Sequence, residues 1–92
     1  MEQREYLLEN AEYLKKDLGK NNIAQQLFQR FKELIISGKL PAGYMMPNEN
    51  VVSELLGVGR STLREAYTAL AVFSFIRRSK AGTFVNEIDN IV

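Results

Sequence analysis

Cysteine and histidine are both missing from this 92-residue sequence, and the two absences exclude a good deal of chemistry. Without them the chain has no disulfide, no thiolate nucleophile, no zinc site of the Cys/His kind and no imidazole base. The carboxylates offer no substitute, because they are scattered along the chain and no two share a spacing that suggests an acid/base couple or a metal site. No catalytic residue, metal or cofactor is expected, and the chain does not read as an enzyme. Long apolar runs are lacking too. The longest uncharged stretch, Ala66 to Ile76, is about half of the ~20 residues that a membrane span needs. The N-terminus opens on Glu2, Arg4 and Glu5 instead of the basic and then apolar segments of a signal peptide, so a cytoplasmic chain with no membrane contact is expected. An excess of one charge sign is the last thing missing. Twelve Lys and Arg stand against 11 Asp and Glu, for a net +1, and that balance, taken whole, argues against a nucleic-acid partner.

What is present fits a single small globular domain: 46% hydrophobic residues, 25% charged, and too few residues for a two-domain machine. In residues 1–18, Leu7, Ala11, Leu14 and Leu18 are spaced four, three and four apart. This lays an apolar stripe along a helix, with Glu2, Glu5, Glu9, Glu12, Lys15 and Lys16 mostly outside it. Gly19 can end that helix. Asn21 or Asn22 can cap a second one, whose positions Ile23, Leu27, Phe31, Leu34 and Ile35 keep helical spacing until Ser37-Gly38 closes it. Both prolines fall in Lys39 to Pro47, which reads as a loop with at most a short extended piece. Asn48 then caps a short third helix that buries Val51, Val52, Leu55 and Leu56 and ends at Gly57. After the link Gly57-Val58-Gly59 comes a fourth helix, about Arg60 to Phe73, with Leu63, Ala66, Tyr67 and Leu70 on one face and Arg60, Ser61, Arg64 and Thr68 on the other. Two short helices joined by a glycine-containing turn form a helix-turn-helix. Phe75 to Arg78 and Thr83 to Val85 then read as strands joined by Ser79 to Gly82, a hairpin in the position of a wing. The fold class expected is mainly α with a small β-hairpin: a winged helix-turn-helix over residues 19–86, preceded by the extra amphipathic helix of residues 1–18 and followed by a tail at 87–92.

Gly57 to Thr62 looks briefly like the end of a phosphate-binding loop, but Glu54 stands where that loop needs glycine and Arg60 where it needs lysine. The glycines are better read as a sharp reversal between two helices. Arg60, Ser61, Thr62 and Arg64 crowd the start of the fourth helix, where open backbone N–H groups and the helix dipole favour an anion such as a DNA phosphate. Two arginines four apart share a face, and each can fork onto guanine O6 and N7. The plainer reading is a solvated face with Ser61 as a cap, and the helix, turn and hairpin around it weigh against that. Arg77, Arg78 and Lys80 surround the hairpin, either as charges that protect an edge strand or as a wing reaching the sugar-phosphate backbone. Alternation sends Arg77 and Arg78 to opposite faces. The aromatics Phe28, Phe31, Tyr67, Phe73, Phe75 and Phe84 sit at core-facing spacings and are expected to fill the core.

The stretch from Ile35 to Val85 resembles the N-terminal DNA-binding domain of GntR-family bacterial transcription regulators. Its matching blocks are Ile36-Ser37-Gly38-Lys39-Leu40-Pro41-Ala42-Gly43, Pro47-Asn48-Glu49, Leu56 to Ala66, and Gly82-Thr83-Phe84-Val85. They keep the order and spacing of that family's I-x-x-G-x-L-x-P-G, L-P-S-E, L-G-V-S-R-x-T-V-R-E-A-L and G-x-G-T-F-V elements. The resemblance implies a domain that binds double-stranded DNA at a palindromic operator as a homodimer, as a repressor or activator. It places Arg60, Ser61, Thr62 and Arg64 at the family's recognition-helix contacts and Ser79 and Lys80 at its wing tip. It also implies a C-terminal effector-binding and dimerising domain, which this sequence does not include. Asn50 stands where many members carry a basic residue that touches phosphate, Gly59 replaces the Ser or Thr that usually opens the recognition helix, and Ala81 lies in the wing where Arg is frequent. Met46 and Asn48 replace the usual Leu and Ser.

A winged-helix module for protein–protein contact is the competing expectation, separated from the first by whether basic residues converge on one face. The charge distribution favours the first: residues 60–80 hold five basic side chains and one acidic, whereas residues 1–18 hold three against five. The near-neutral total hides a basic segment between acidic ends. For the leading helix two roles stay open, packing back on the domain or pairing with a second copy.

Overall fold

A computed structural model describes residues 4–88. Helix α1 spans Arg4–Lys15 and α2 Ile23–Ile36, followed by the two-residue strand β1 at Met45–Met46, α3 at Glu49–Leu56, α4 at Arg60–Val72, and the hairpin β2, Ile76–Ser79, with β3, Gly82–Val85. No helix among the described residues is long and apolar enough to cross a membrane.

The apolar stripes read from the sequence converge on one core. Leu27, Phe31, Leu34 and Ile35 of α2 meet Leu63, Ala66, Tyr67 and Leu70 of α4, and the Phe31 and Tyr67 rings pack edge to face at 5.7 Å. Helix α1 belongs to the same core. Leu7 and Leu14 are fully buried and Ala11 nearly so, against α2 and α3. The stripe therefore packs back on the domain, and Leu7 and Leu14 are not available to a second copy, while Leu18 is partly buried. Its helix stops earlier than Gly19, at Lys15, and Asp17 takes the left-handed conformation with φ 53°. Arg30 of α2 explains the early end. Its guanidinium donates to the carbonyls of Tyr13 and Leu14, each at 3.2 Å, and to that of Lys16, satisfying acceptors that a helix leaves open at its C-terminus. Helix α2 starts at Ile23 after Asn22, as expected, but Asn22 is itself left-handed and its side chain makes no cap hydrogen bond. Gln26 does the local work, donating to the Asn21 carbonyl and accepting from the Gly19 N–H.

The loop after α2 contributes more than an extended piece. Met45 and Met46 pair with Phe84 and Thr83, so β3 is the central strand of a three-stranded antiparallel sheet ordered β1-β3-β2. The hairpin link is also tighter than four residues, because Ser79 and Gly82 are themselves paired and only Lys80 and Ala81 lie in the turn. Glycine suits position 82: its φ is +144°, a backbone conformation strained for side chains, and a Cβ there would crowd the Met45 sulfur at 3.1 Å.

One expectation about the core needs correction. Phe73 caps the C-terminal end of α4 and is 61% exposed, while Phe28 and Phe84 are half-buried. The α4 helix ends at Val72, so Phe73 leaves the buried face and only leans on Phe28, ring centroids 5.6 Å apart. Tyr44 also lies in the core, edge to face with Tyr6 at 5.1 Å. Among the described residues its hydroxyl has no hydrogen-bond partner, nor has that of Tyr67. Burial pushes the Tyr44 phenol up from 10.0 to about 12. A phenol that ionises later in the folded state contributes stability that is intact below pH 10 and is lost as pH rises through 12. Tyr44→Phe is therefore expected to lose less stability than the wild type between pH 8 and 11 in denaturant titrations, and equal losses would contradict the burial effect.

Candidate nucleic-acid interface

The α3–α4 pair is built by local chemistry. Asn48 is extended, φ −65° and ψ 160°, and its Oδ1 accepts from the Val51 N–H at 3.0 Å, the N-cap the sequence calls for. The helix ends at Gly57 in the left-handed region, φ 69°, a conformation that costs glycine nothing. The chain then turns in three residues, with the Val58 N–H bonded to the Ser53 carbonyl. Gly59 is the N-cap of α4 and has no side chain with which to cap it; Ser61, a candidate cap from the sequence, lies inside the helix. The first-turn N–H groups of α4 therefore have no side-chain oxygen from the N-cap, and the dipole leaves partial positive charge at that end.

Arg60, Ser61, Arg64 and Thr68 are exposed on α4, and Thr62 is partly covered. Arg60 and Arg64 line an open cleft of about 750 Å³ together with Met45 to Asn50 and Ala81 to Thr83. The cleft is thus walled by the start of α3, the first half of α4 and the wing. Hydrogen bonds fix its polar groups. Arg60 Nη1 donates to Asn50 Oδ1 at 2.9 Å. Arg64 Nε donates to Glu49 Oε1 at 3.2 Å, and Arg78 Nη2 donates to Glu49 Oε2 at 2.8 Å. Arg78 also lies over the Tyr67 ring, 5.8 Å from its centroid, and reaches Thr68 Oγ1 at 3.5 Å. Burial, with the Glu49 carboxylate nearby, holds the Tyr67 phenol far above its usual range.

The two wing arginines diverge as strand alternation requires. Arg78 turns toward α3 and α4, whereas Arg77 stacks on Phe84 at 4.9 Å and donates to Asn86 Oδ1 at 2.9 Å. Lys80 is exposed in the turn. The Ser79 hydroxyl, a candidate for contact, is occupied locally: it accepts from the Ala81 N–H and donates to the Gly82 carbonyl, each at 3.2 Å. Of the candidate residues, Arg60, Arg64 and Asn50 meet in the cleft, Gly59, Ser61 and Thr62 form the start of α4, Thr68 lies one helical step away beside Arg78, and Ser79 and Lys80 stand at the wing. Sequence reasoning did not single out Glu49 as a member of this face. Its signals were its place in the Pro47-Asn48-Glu49 block and its position one after an N-cap, which alone means a favourable dipole interaction.

Three helices followed by a hairpin, with a glycine turn before the third of them, define a winged helix-turn-helix domain, here with α1 added in front. The family model described as "Bacterial regulatory proteins, gntR family" matches residues 23–85. The chain is 35% identical over 83 residues to the HTH-type transcriptional regulator YcbG of Bacillus subtilis (strain 168), a match covering 88% of this chain and 36% of YcbG. Among solved structures, YtrA from Sulfolobus acidocaldarius, a GntR-family transcription factor, superposes with a TM-score of 0.73 at 32% identity, covering 80% of each chain. The AraR DNA-binding domain in complex with operator ORX1 superposes with a TM-score of 0.62 at 28% identity, covering 67% of this chain and 76% of that one. The chain belongs to the GntR family of regulatory proteins. It spans about a third of the length of YcbG.

Proposed function

We propose that this chain gives a cytoplasmic transcription regulator its sequence-specific DNA binding, at a palindromic operator and as a homodimer. The N-terminal half of α4 enters the major groove, and the wing grips the flanking backbone. The observation that carries this reading is the convergence of Arg60, Arg64 and the open start of α4 on one cleft whose far wall is the wing. Exposed basic groups beside a helix N-terminus suit phosphate, and forked guanidinium groups suit guanine edges. The operator complex of the similar AraR domain and the family membership support the same partner class. In this arrangement Arg60 and Arg64 read bases, Ser61, Thr62, Thr68 and the Gly59–Arg60 main chain position the helix, and Lys80 contacts phosphate. Asn50 acts through Arg60, which it holds, and Ser79 shapes the turn that presents Lys80.

Selection from a random duplex library tests the proposal: an enriched motif with dyad symmetry is expected, and a library returned without enrichment would overturn it. With the selected duplex, Lys80→Ala should weaken binding to all sequences alike and lower the slope of log K against log salt by about 1. A variant that changes base preference instead would move Lys80 from the backbone to a base.

The competing reading, a winged helix used for protein contact, has one observation in its favour. Val72 and Phe73, at the other end of α4, are 72% and 61% exposed and adjacent, an apolar point on the surface that a protein partner could cover. They stand away from the basic cleft, so the two readings use different surfaces.

A further inference from the structure

We propose that Glu49 is the positioning residue that fixes how Arg64 meets a base, and that Arg78 fixes Glu49 in turn. The inference rests on the DNA-binding reading above and concerns how that surface discriminates between sequences. An acidic side chain at the centre of a basic face is at first sight misplaced, since one carboxylate cancels one unit of attraction for phosphate. Its contacts give it a different use. A guanidinium carries five N–H donors arranged as a planar fork. The Glu49 carboxylate takes the Nε edge of Arg64 at 3.2 Å, and with Nε engaged the two terminal nitrogens remain as the pair that can fork onto guanine O6 and N7. Arg64 is 62% exposed and on a long flexible stem. Unheld, it would sample many rotamers and would meet phosphates as readily as bases.

Glu49 can hold it because Glu49 is itself held. It sits in the first turn of α3, directly after the Asn48 cap, where the helix dipole favours its charge. Its other oxygen receives Arg78 at 2.8 Å. Arg78 comes from β2 and rests on the Tyr67 ring and Thr68, so three elements fix one carboxylate. The chain of contacts runs from the sheet to α3 to α4, and its last two members, Glu49 and Arg64, both line the cleft. Exposed ion pairs contribute little to folding, which leaves orientation as the larger effect of the clamp.

Glu49→Gln separates this role from the two simpler ones. The amide keeps the shape and removes the charge. If the carboxylate only repels DNA, the variant binds the selected duplex and a scrambled duplex more tightly by the same factor. If it only braces the fold, the melting temperature falls and both affinities fall together. A positioning role predicts opposite movements: binding to the scrambled duplex holds or tightens, binding to the selected duplex weakens, and their ratio drops by about tenfold. Arg78→Met should move the ratio in the same direction by a smaller factor, and Arg64→Ala combined with Glu49→Gln should lose no more of the ratio than Arg64→Ala alone. Anisotropy titrations of the 92-residue chain on both duplexes, with melting curves alongside, read all of these. A Glu49→Gln variant whose ratio equals that of the wild type would overturn the clamp while leaving DNA binding intact. A wild-type chain without preference for any duplex would remove the DNA-binding reading and the clamp with it.

Discussion

Replacing Leu7 and Leu14 together by alanine is expected to remove most of the stability of the whole domain, although neither residue lies in the segment that matches the family. Both are fully buried in the one core cluster, alongside Leu27, Phe31 and Val52. A buried Leu→Ala change costs about 2–5 kcal/mol, from lost transfer energy and from the cavity left behind. Two such changes amount to roughly 4–10 kcal/mol, against the ~5–15 kcal/mol that holds an ordinary domain folded. In urea, where m is about 1–3 kcal/mol/M for small proteins, the midpoint should fall by roughly 1.3 M or more, or the folded baseline should vanish. Leu8→Ala is the matched control. Leu8 is on the same helix but 53% exposed, and its loss should stay within about 0.5 kcal/mol. If the double variant unfolded at the wild-type midpoint, α1 would be an appendage and residues 23–85 would carry the fold alone. The expected result would instead make α1 a structural part of this member of the family. It also places α1 against α3, the helix from which Glu49 and Asn50 project, so loosening α1 should disturb the cleft as well as the core.

Much of this was legible in the sequence because much of it is local. Asn48 caps α3 through its own Val51 N–H, Gly57 ends the helix in a left-handed conformation, and Gly82 takes a positive φ at the hairpin. Each is a residue whose chemistry acts within a few positions of itself. The core faces of α2 and α4 followed from periodicity for the same reason. What the sequence did not disclose depends on residues far apart in the chain. The end of α1 is set by Arg30, which reaches back to the carbonyls of Tyr13, Leu14 and Lys16, and no local signal moves the stop from Gly19 to Lys15. The pairing of Met45 and Met46 with β3 needs the whole chain between them to have folded. Glu49 and Arg78 are 29 positions apart, so the grouping of one acid with two arginines was invisible, while the two arginines on α4 were plain. Phe73 is a smaller case: helical spacing placed it inside, and the helix ended one residue too soon. The near-neutral charge is resolved by position: Glu5, Glu9 and Glu12 are exposed on α1, while Arg60 and Arg64 line the cleft and Lys80 stands at the wing.

For DNA recognition, the double variant Arg60→Ala, Arg64→Ala has the largest expected effect. Each arginine, if it forks onto guanine, contributes about 1–3 kcal/mol of discrimination. The two have separate partners, Asn50 for Arg60 and Glu49 for Arg64, so their losses should come close to adding, with some coupling because they are neighbours on one helix face. About 2–6 kcal/mol in total corresponds to a loss of roughly 30-fold to more than 10,000-fold on the selected duplex. Folding should be unaffected, because both side chains are exposed and neither enters the core. Removing Arg64 also leaves Glu49 with Arg78 as its one remaining ion-pair partner among the described residues, so the face that meets DNA loses a positive charge beside a carboxylate, which deepens the loss on every sequence. The two contributions can be told apart. Base reading appears as relaxed preference at one position of each half-site, and charge appears as a shallower salt dependence on scrambled DNA, by about 1 for each phosphate that the variant no longer neutralises. Variants that unfold at the wild-type temperature and bind the selected duplex as the wild type does would show that α4 does not read this DNA.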